Sequence, residues 1–138
     1  MTSADNRNAP LSIWQLPTRA TLTLGFIPPA ALSPNARVHW AARHRATRQM
    51  RESGYEHALV ELRDWLMVPC IELTYEFRHY RRLDEDSLAV RMKPFVDGLV
   101  DAEVVEDDNP SHVHYGSHRW VKAPKGESQV VVTIERIS

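Results

Sequence analysis

The chain has almost no cysteine. Cys70 is the only one, so no disulfide can form within the chain, and the composition fits a reducing compartment. It also lacks long apolar runs, and nothing approaches the roughly 18 residues of a membrane span. The first residues, "MTSADNRNAPLSIWQLP", contain no apolar stretch of the secretion type, so a cytoplasmic protein is expected. There is no GxGxxG, no phosphate-binding P-loop, no internal repeat and no low-complexity tract. Zinc is poorly supported: His112, His114 and His118 invite it, but a single cysteine and no HxxxH on a clear helix argue against it.

Charge is present, and it is unevenly spread. The formal net charge of −1 alone argues against a non-specific nucleic-acid binder. Yet Arg37, Arg43, Arg45, Arg48 and Arg51 fall in one stretch that holds no acid. Between Asp84 and Asp108 stand half of the chain's 18 acids, with only Arg91 and Lys93 to oppose them. A basic segment is thus followed by an acidic one.

The 138 residues fit one domain with a modest core. Residues 1–18 are polar and aperiodic, and are expected to be a flexible arm, leaving 19–138 as the folded domain. "TLTLGFIP" alternates and then stops at two prolines, which predicts a strand. Helix formers dominate from Ala41 to Trp65. Met50, Leu59, Leu62 and Leu66 form a loose apolar row, with Gly54 as a weak point, so one long helix or two joined pieces are expected. "CIELTYEFRHY" alternates best, with Ile71, Leu73, Tyr75 and Phe77 on one face.

Leu88, Met92, Phe95, Val96 and Leu99 then share a helical face. Ser87 is a plausible N-cap, and Pro94 marks a kink or a restart. "SHVHYGSHRWVKA" and "SQVVVTIERI" read as two strands joined by a hairpin turn at "PKGE". The order β-α-β-α-β-β gives an α+β fold, a mixed sheet with two helices.

Asp84 and Asp86 stand two apart, and Asp107 and Asp108 follow the helix. Their carboxylates share a face if the strand continues; if it has ended, they sit at the start of the next helix, with Asp86 or Ser87 as its cap. The intervening helix is about 20 Å long, so Asp108 meets them only if the chain returns along it or the next strand runs beside the first. Clustered carboxylates repel one another unless a cation intervenes, and Mg²⁺ takes such oxygen ligands. Acidic clusters also occur as solvated surfaces and helix caps.

These residues carry a resemblance. Asp84-x-Asp86-Ser87-Leu88, then Lys93, then Asp97-x-Leu99, then Asp107-Asp108 resembles the signature of the RusA family of Holliday junction resolvases. The upstream "LSPNARVHWAARHRATRQMR" resembles that family's N-terminal loop and basic helix, and the likeness covers roughly residues 21–136. Ser87 stands where the family usually has asparagine, and the gap from Asp86 to Lys93 is longer by about two residues, which leaves Lys93 or Arg91 for the catalytic lysine's place.

The resemblance implies a Mg²⁺-dependent endodeoxyribonuclease, with Mn²⁺ as a possible substitute. It would resolve four-way DNA junctions by paired symmetric nicks as a homodimer, leaving 5′-phosphate and 3′-hydroxyl ends. Asp84, Asp86 and Asp108 would hold the metal, and Lys93 would stabilise the scissile phosphate. Asp97 would orient Lys93, and Asp107 would support. Arg37, Arg43, Arg45, Arg48, Arg81 and Arg82 would contact DNA. His39 and Trp40 could reach bases or sugars, with packing the expected role of Trp40. Glu85 is expected to point away and be replaceable. The other readings are a module that binds structured DNA without cutting it, and a metal-dependent nuclease acting on flaps or RNA.

Overall fold

The computed structural model describes residues 17–137. The arm expected over residues 1–18 lies outside the described residues except for its last two. Thr18 is already tied to the sheet, its carbonyl accepting from the Arg136 amide at 2.8 Å.

The elements are β1 (Arg19–Leu24), a short 3-10 helix (Ala30–Leu32), α1 (Trp40–Glu61), β2 (Ile71–His79), α2 (Glu85–Val90), α3 (Lys93–Asp101), β3 (Val113–Lys122) and β4 (Gln129–Arg136). This is an α+β domain in the expected order, with the second helical segment split in two. Pro94 falls in the first turn of α3, where its missing N–H is harmless, so it marks a restart.

The four strands form one mixed sheet in the order β1-β4-β2-β3. β2 runs parallel to β3 and antiparallel to β4, which is also antiparallel to β1. The hairpin expected at "PKGE" is therefore corrected. The turn exists, with Gly126 at φ 86° and the Glu127 amide donating to Pro124 O. But β3 and β4 lie on opposite sides of β2, and the connection crosses over it.

Alternation in β2 decides the layers. Ile71, Leu73, Tyr75 and Phe77 are buried, and in register with them lie the equally buried Val130, Val132 and Ile134 of β4. The helices cover this face. From their side come Leu88, Met92, Phe95, Val96 and Leu99, the row expected from the sequence, each with no exposed surface.

In α1 the apolar row expected from the sequence is corrected. Leu59 and Leu66 are about half exposed, while Ala46, Met50, Gly54 and Ala58 face inward at four-residue spacing. Gly54 is a contact point and not a weak one. A Cβ there would meet the backbone of Phe95, and one on Gly98 would meet Tyr55 N at 2.7 Å and Gly54 Cα at 3.0 Å. Two glycines thus let α1 and α3 cross backbone against backbone, and Arg51 locks the crossing with a two-pronged bond to Asp101 at 2.6 and 2.8 Å.

β3 carries a bulge. Pairing passes from Leu73 with Tyr115 to Tyr75 with His118, so three residues of β3 oppose two of β2. The extra residue resets the alternation, and Tyr115 and His118, three apart, come to share the helix-covered face.

Candidate active site

The strand from Cys70 ends at His79, well before the acids, so Asp84 and Asp86 are helix-start residues. Asp84 is the N-cap of α2, its Oδ1 accepting from the Asp86 amide at 3.3 Å. This corrects the caps expected at Asp86 or Ser87. Ser87 lies inside α2, with its Oγ 3.5 Å from Arg91 Nη2. Lys93 opens α3, next to α2 in sequence. The loop after α3 then brings Asp108 back to Lys93, just before β3 starts beside β2.

Lys93 is held from two sides. Its Nζ lies 2.6 Å from Asp97 Oδ1, one helical turn on, and 2.6 Å from Asp108 Oδ2. Partial burial alone would lower the ammonium's pKa, but the bonds from Asp108 and Asp97 outweigh it and hold the group above the usual lysine value. The hydrogen bond from Lys93 in turn holds the Asp108 carboxyl below the usual carboxylate range, against a smaller burial effect. Asp107 accepts from the Asp108 amide at 2.8 Å and from Asn109 Nδ2 at 3.2 Å, so it shapes the loop. Across from this pair, His118 Nε2 meets Asp86 Oδ1 at 2.6 Å.

Lys93, Asp108, Asp86 and His118 line one open cleft of about 690 Å³, whose remaining wall includes Tyr75, Val90 and Tyr115. Asp84 does not line it. Among the described residues, no three His, Cys, Asp or Glu side chains are gathered into a ready-made metal site. The donor chemistry nevertheless suits Mg²⁺, which is commonly held by one or two protein carboxylates with waters and phosphates filling the remaining positions. Asp86 and Asp108 are two such carboxylates on one cleft.

Lys93 and Arg91 point in different directions. Arg91 donates to Pro28 O at 3.2 Å, and burial lowers its pKa; Lys93 alone of the two lines the cleft. Among the arginines, Arg37, Arg45 and Arg48 are exposed. Arg43 is an internal brace, donating to Ser33 O at 3.3 Å and Ala36 O at 3.0 Å. Arg81 lies over the Tyr80 ring and Arg82 over Trp120. Glu85 does not line the cleft and meets Arg82 at 2.6 Å. Trp40 does not pack: it is 73% exposed at the start of α1, beside His39, whose Nδ1 caps that helix.

The three histidines diverge. His112 Nδ1 meets Pro69 O at 3.0 Å, His114 pairs with Glu72 on the other face of the sheet, and His118 alone reaches the cleft. Sequence reasoning missed His118, Tyr75 and Tyr115 as cleft residues. The first and last depend on the bulge, which leaves no signal in the pattern of residue types. Tyr75 reads as one more core position of β2.

No family model matches the chain. It is 34% identical over 126 residues to an uncharacterized protein of Xylella fastidiosa strain Temecula1, covering 86% of this chain and 77% of that one. No helix among the described residues is long and apolar enough to cross a membrane.

Proposed function

We propose a function for a chain that belongs to one family with the uncharacterized Xylella fastidiosa protein: it is a Mg²⁺-dependent endonuclease that nicks branched DNA, with four-way junctions as the first substrate to test. The observation that carries this reading is Lys93, clamped at 2.6 Å by Asp97 and by Asp108 on a cleft shared with Asp86. A cation kept charged and aimed beside two carboxylates suits a phosphodiester, whose attack by water builds negative charge on the phosphoryl oxygens.

Asp86 and Asp108 would hold the Mg²⁺, with Asp84 beside them on the N-cap of α2. When bound, the ion polarises the phosphoryl group and activates the attacking water. Lys93 binds the scissile phosphate and meets its developing charge, Asp97 keeps Lys93 directed, and the exposed Arg37, Arg45 and Arg48 offer phosphate contacts that weaken with salt. Resolution of a junction needs two symmetric nicks, so the active species is a homodimer with one site per copy.

A second reading is favoured by one specific observation: Asp86 and Asp108 are already paired with His118 and Lys93. A carboxylate so engaged can remain so, and the protein would then bind structured DNA without cutting it. Purified protein incubated with a labelled four-way junction, a flap, a linear duplex and an RNA hairpin, in Mg²⁺, Mn²⁺ or EDTA, separates the two. Paired, metal-dependent nicks in the junction are expected. Tight junction binding with no nick in any metal would replace the first reading by the second, and cutting confined to the flap or RNA would change the substrate.

A further inference from the structure

One group in the Lys93 cleft is left over by the phosphate chemistry. Tyr75 of β2 is 3% exposed, and its hydroxyl has no hydrogen-bond partner although the residue forms part of the cleft wall. Burying an unpaired hydroxyl is costly, and nearly all such groups find a partner. Two further side chains in the same cleft are also left uncovered: Val90 of α2 is 52% exposed and Tyr115 of β3 is 54% exposed. Ala89 and Pro110 extend the same apolar lining. Lys93 and Asp108 occupy the charged side.

The cleft therefore offers an apolar and aromatic wall and an adjacent cation, with one isolated, buried hydroxyl on a lining residue. Its volume of about 690 Å³ is in the range of small-molecule sites.

We propose that this cleft takes a single unstacked nucleobase of the strand whose phosphate Lys93 holds, with Tyr75 bonding the polar edge of that base. The inference rests on the nuclease reading and adds a specificity subsite to it. Every base has a π-face, which the Tyr115 ring can accept, so stacking provides binding without choice among bases. Every base edge also carries donors and acceptors, and a tyrosine hydroxyl serves as either, so the choice falls to Tyr75. A branch point is where a base can leave the stack most cheaply, since it lacks a full set of neighbours. The bulge in β3 belongs to this design, because it is what places Tyr115 and His118 on one face.

The test uses four-way junctions that differ at one nucleotide, on the 5′ or the 3′ side of the cut, which is either one of the four bases or an abasic spacer. Single-turnover cutting and binding in EDTA are both measured for the full chain. The wild type is expected to cut one of the two abasic junctions about tenfold more slowly than its parent, or to bind it that much more weakly. V90W, which fills the cleft from a half-exposed position, is expected to treat abasic and parent junctions alike, both at the low rate. Y75F, which removes a hydroxyl that bonds nothing in the fold, is expected to compress the spread among the four bases to about twofold while keeping the abasic penalty.

If the wild type cuts and binds both abasic junctions as well as their parents, the base subsite is wrong and the nuclease reading stands. If it binds without cutting, the EDTA binding ratios alone decide the subsite. A protein that neither binds nor cuts any junction overturns both.

Discussion

Two of the clefts among the described residues invite comparison. One is the Lys93 cleft between α2 and β3; the other, of about 570 Å³, runs along α1 behind Phe26. Both have apolar walls. The α1 cleft, however, is bordered by Glu52, Glu56 and Glu61, with His57 3.4 Å from Glu61, and no lysine or arginine lines it. A polyanion is repelled there. The Lys93 cleft is lined by two acids, Asp86 and Asp108, and each faces an imidazole or a cation. What separates them is thus not concavity or apolar area. It is a fixed positive charge and a buried, unspent hydroxyl on a lining residue.

That contrast can be broken first at Lys93. K93A is expected to reduce junction cutting by about 10²- to 10³-fold, the effect of losing one preorganised group that stabilises transition-state charge. Single-turnover rates on a labelled junction check this, and a variant within about threefold of wild type would show that the cation does not matter.

Next come the carboxylates. D86N and D108N are expected to abolish cutting while binding in EDTA holds or tightens, because negative charge near phosphates is removed. D84N should cost less, since asparagine caps a helix as well as aspartate does and Asp84 does not line the cleft. If D84N is as inactive as D108N, all three carboxylates act together, and the side chain of Asp84 must turn inward in the complex.

The crossing of α1 and α3 gives a smaller effect, read in stability. A methyl group on Gly98 has no room against Tyr55 N and Gly54 Cα. G98A is expected to cost about 1–3 kcal/mol in denaturant unfolding and to shift α3 under Lys93. Smaller again is the Arg51–Asp101 bridge, about half exposed at Arg51 and a third at Asp101, and worth about 1 kcal/mol or less.

Its pH dependence has a definite sign. The hydrogen bond from Arg51 holds Asp101 below the usual carboxylate range, as Lys93 does for Asp108. Both contributions are therefore present above the ordinary aspartate pKa of about 4 and are lost as pH falls through the depressed values. D101N should flatten the acid limb of the stability curve. Lys93 acts oppositely: its pKa is raised, so its contribution is complete below the ordinary lysine value of about 10.4 and is lost at higher pH. The smallest expected effect is in the control cleft, where E56Q should leave binding and cutting within about twofold of wild type. A loss there comparable to K93A would remove the distinction between the clefts.

The sequence announced some of this and hid the rest, for physical reasons. β2 was legible because burial of one face imposes strict alternation from Ile71 to Phe77. The face of Leu88, Met92, Phe95, Val96 and Leu99 was legible because α2 and α3 stay nearly in phase across the break at Arg91 and Met92. The inward row of α1 was hidden because its members are mostly small: Ala46, Gly54 and Ala58 pack by permitting approach, which hydrophobic periodicity does not register. The crossover from β3 to β4 was hidden because a turn sequence specifies a reversal of direction, and says nothing about whether a third strand will lie between. For the site, the spacing of Lys93 and Asp97 announced their contact, and the return of Asp108 was a stated requirement that the parallel placement of β3 meets. His118 was not legible, since one extra residue in β3 turned it to the other side of the sheet.

The position of β4 carries a consequence for the making of the protein. It follows β1, β2 and β3 in the chain, yet it sits between β1 and β2 and is, among the described residues, the only strand that β1 pairs with. At roughly 5–20 residues per second, the ribosome delivers the acids, Lys93 and the whole of β3 seconds before the sheet can close. Until then β1 waits without a partner, and β2 has only the slow-forming parallel contact in which Ile71 meets Val113. A nascent chain therefore exposes the charged residues without the rigid frame that aims them, and translation itself delays the site until β4 slides into the centre.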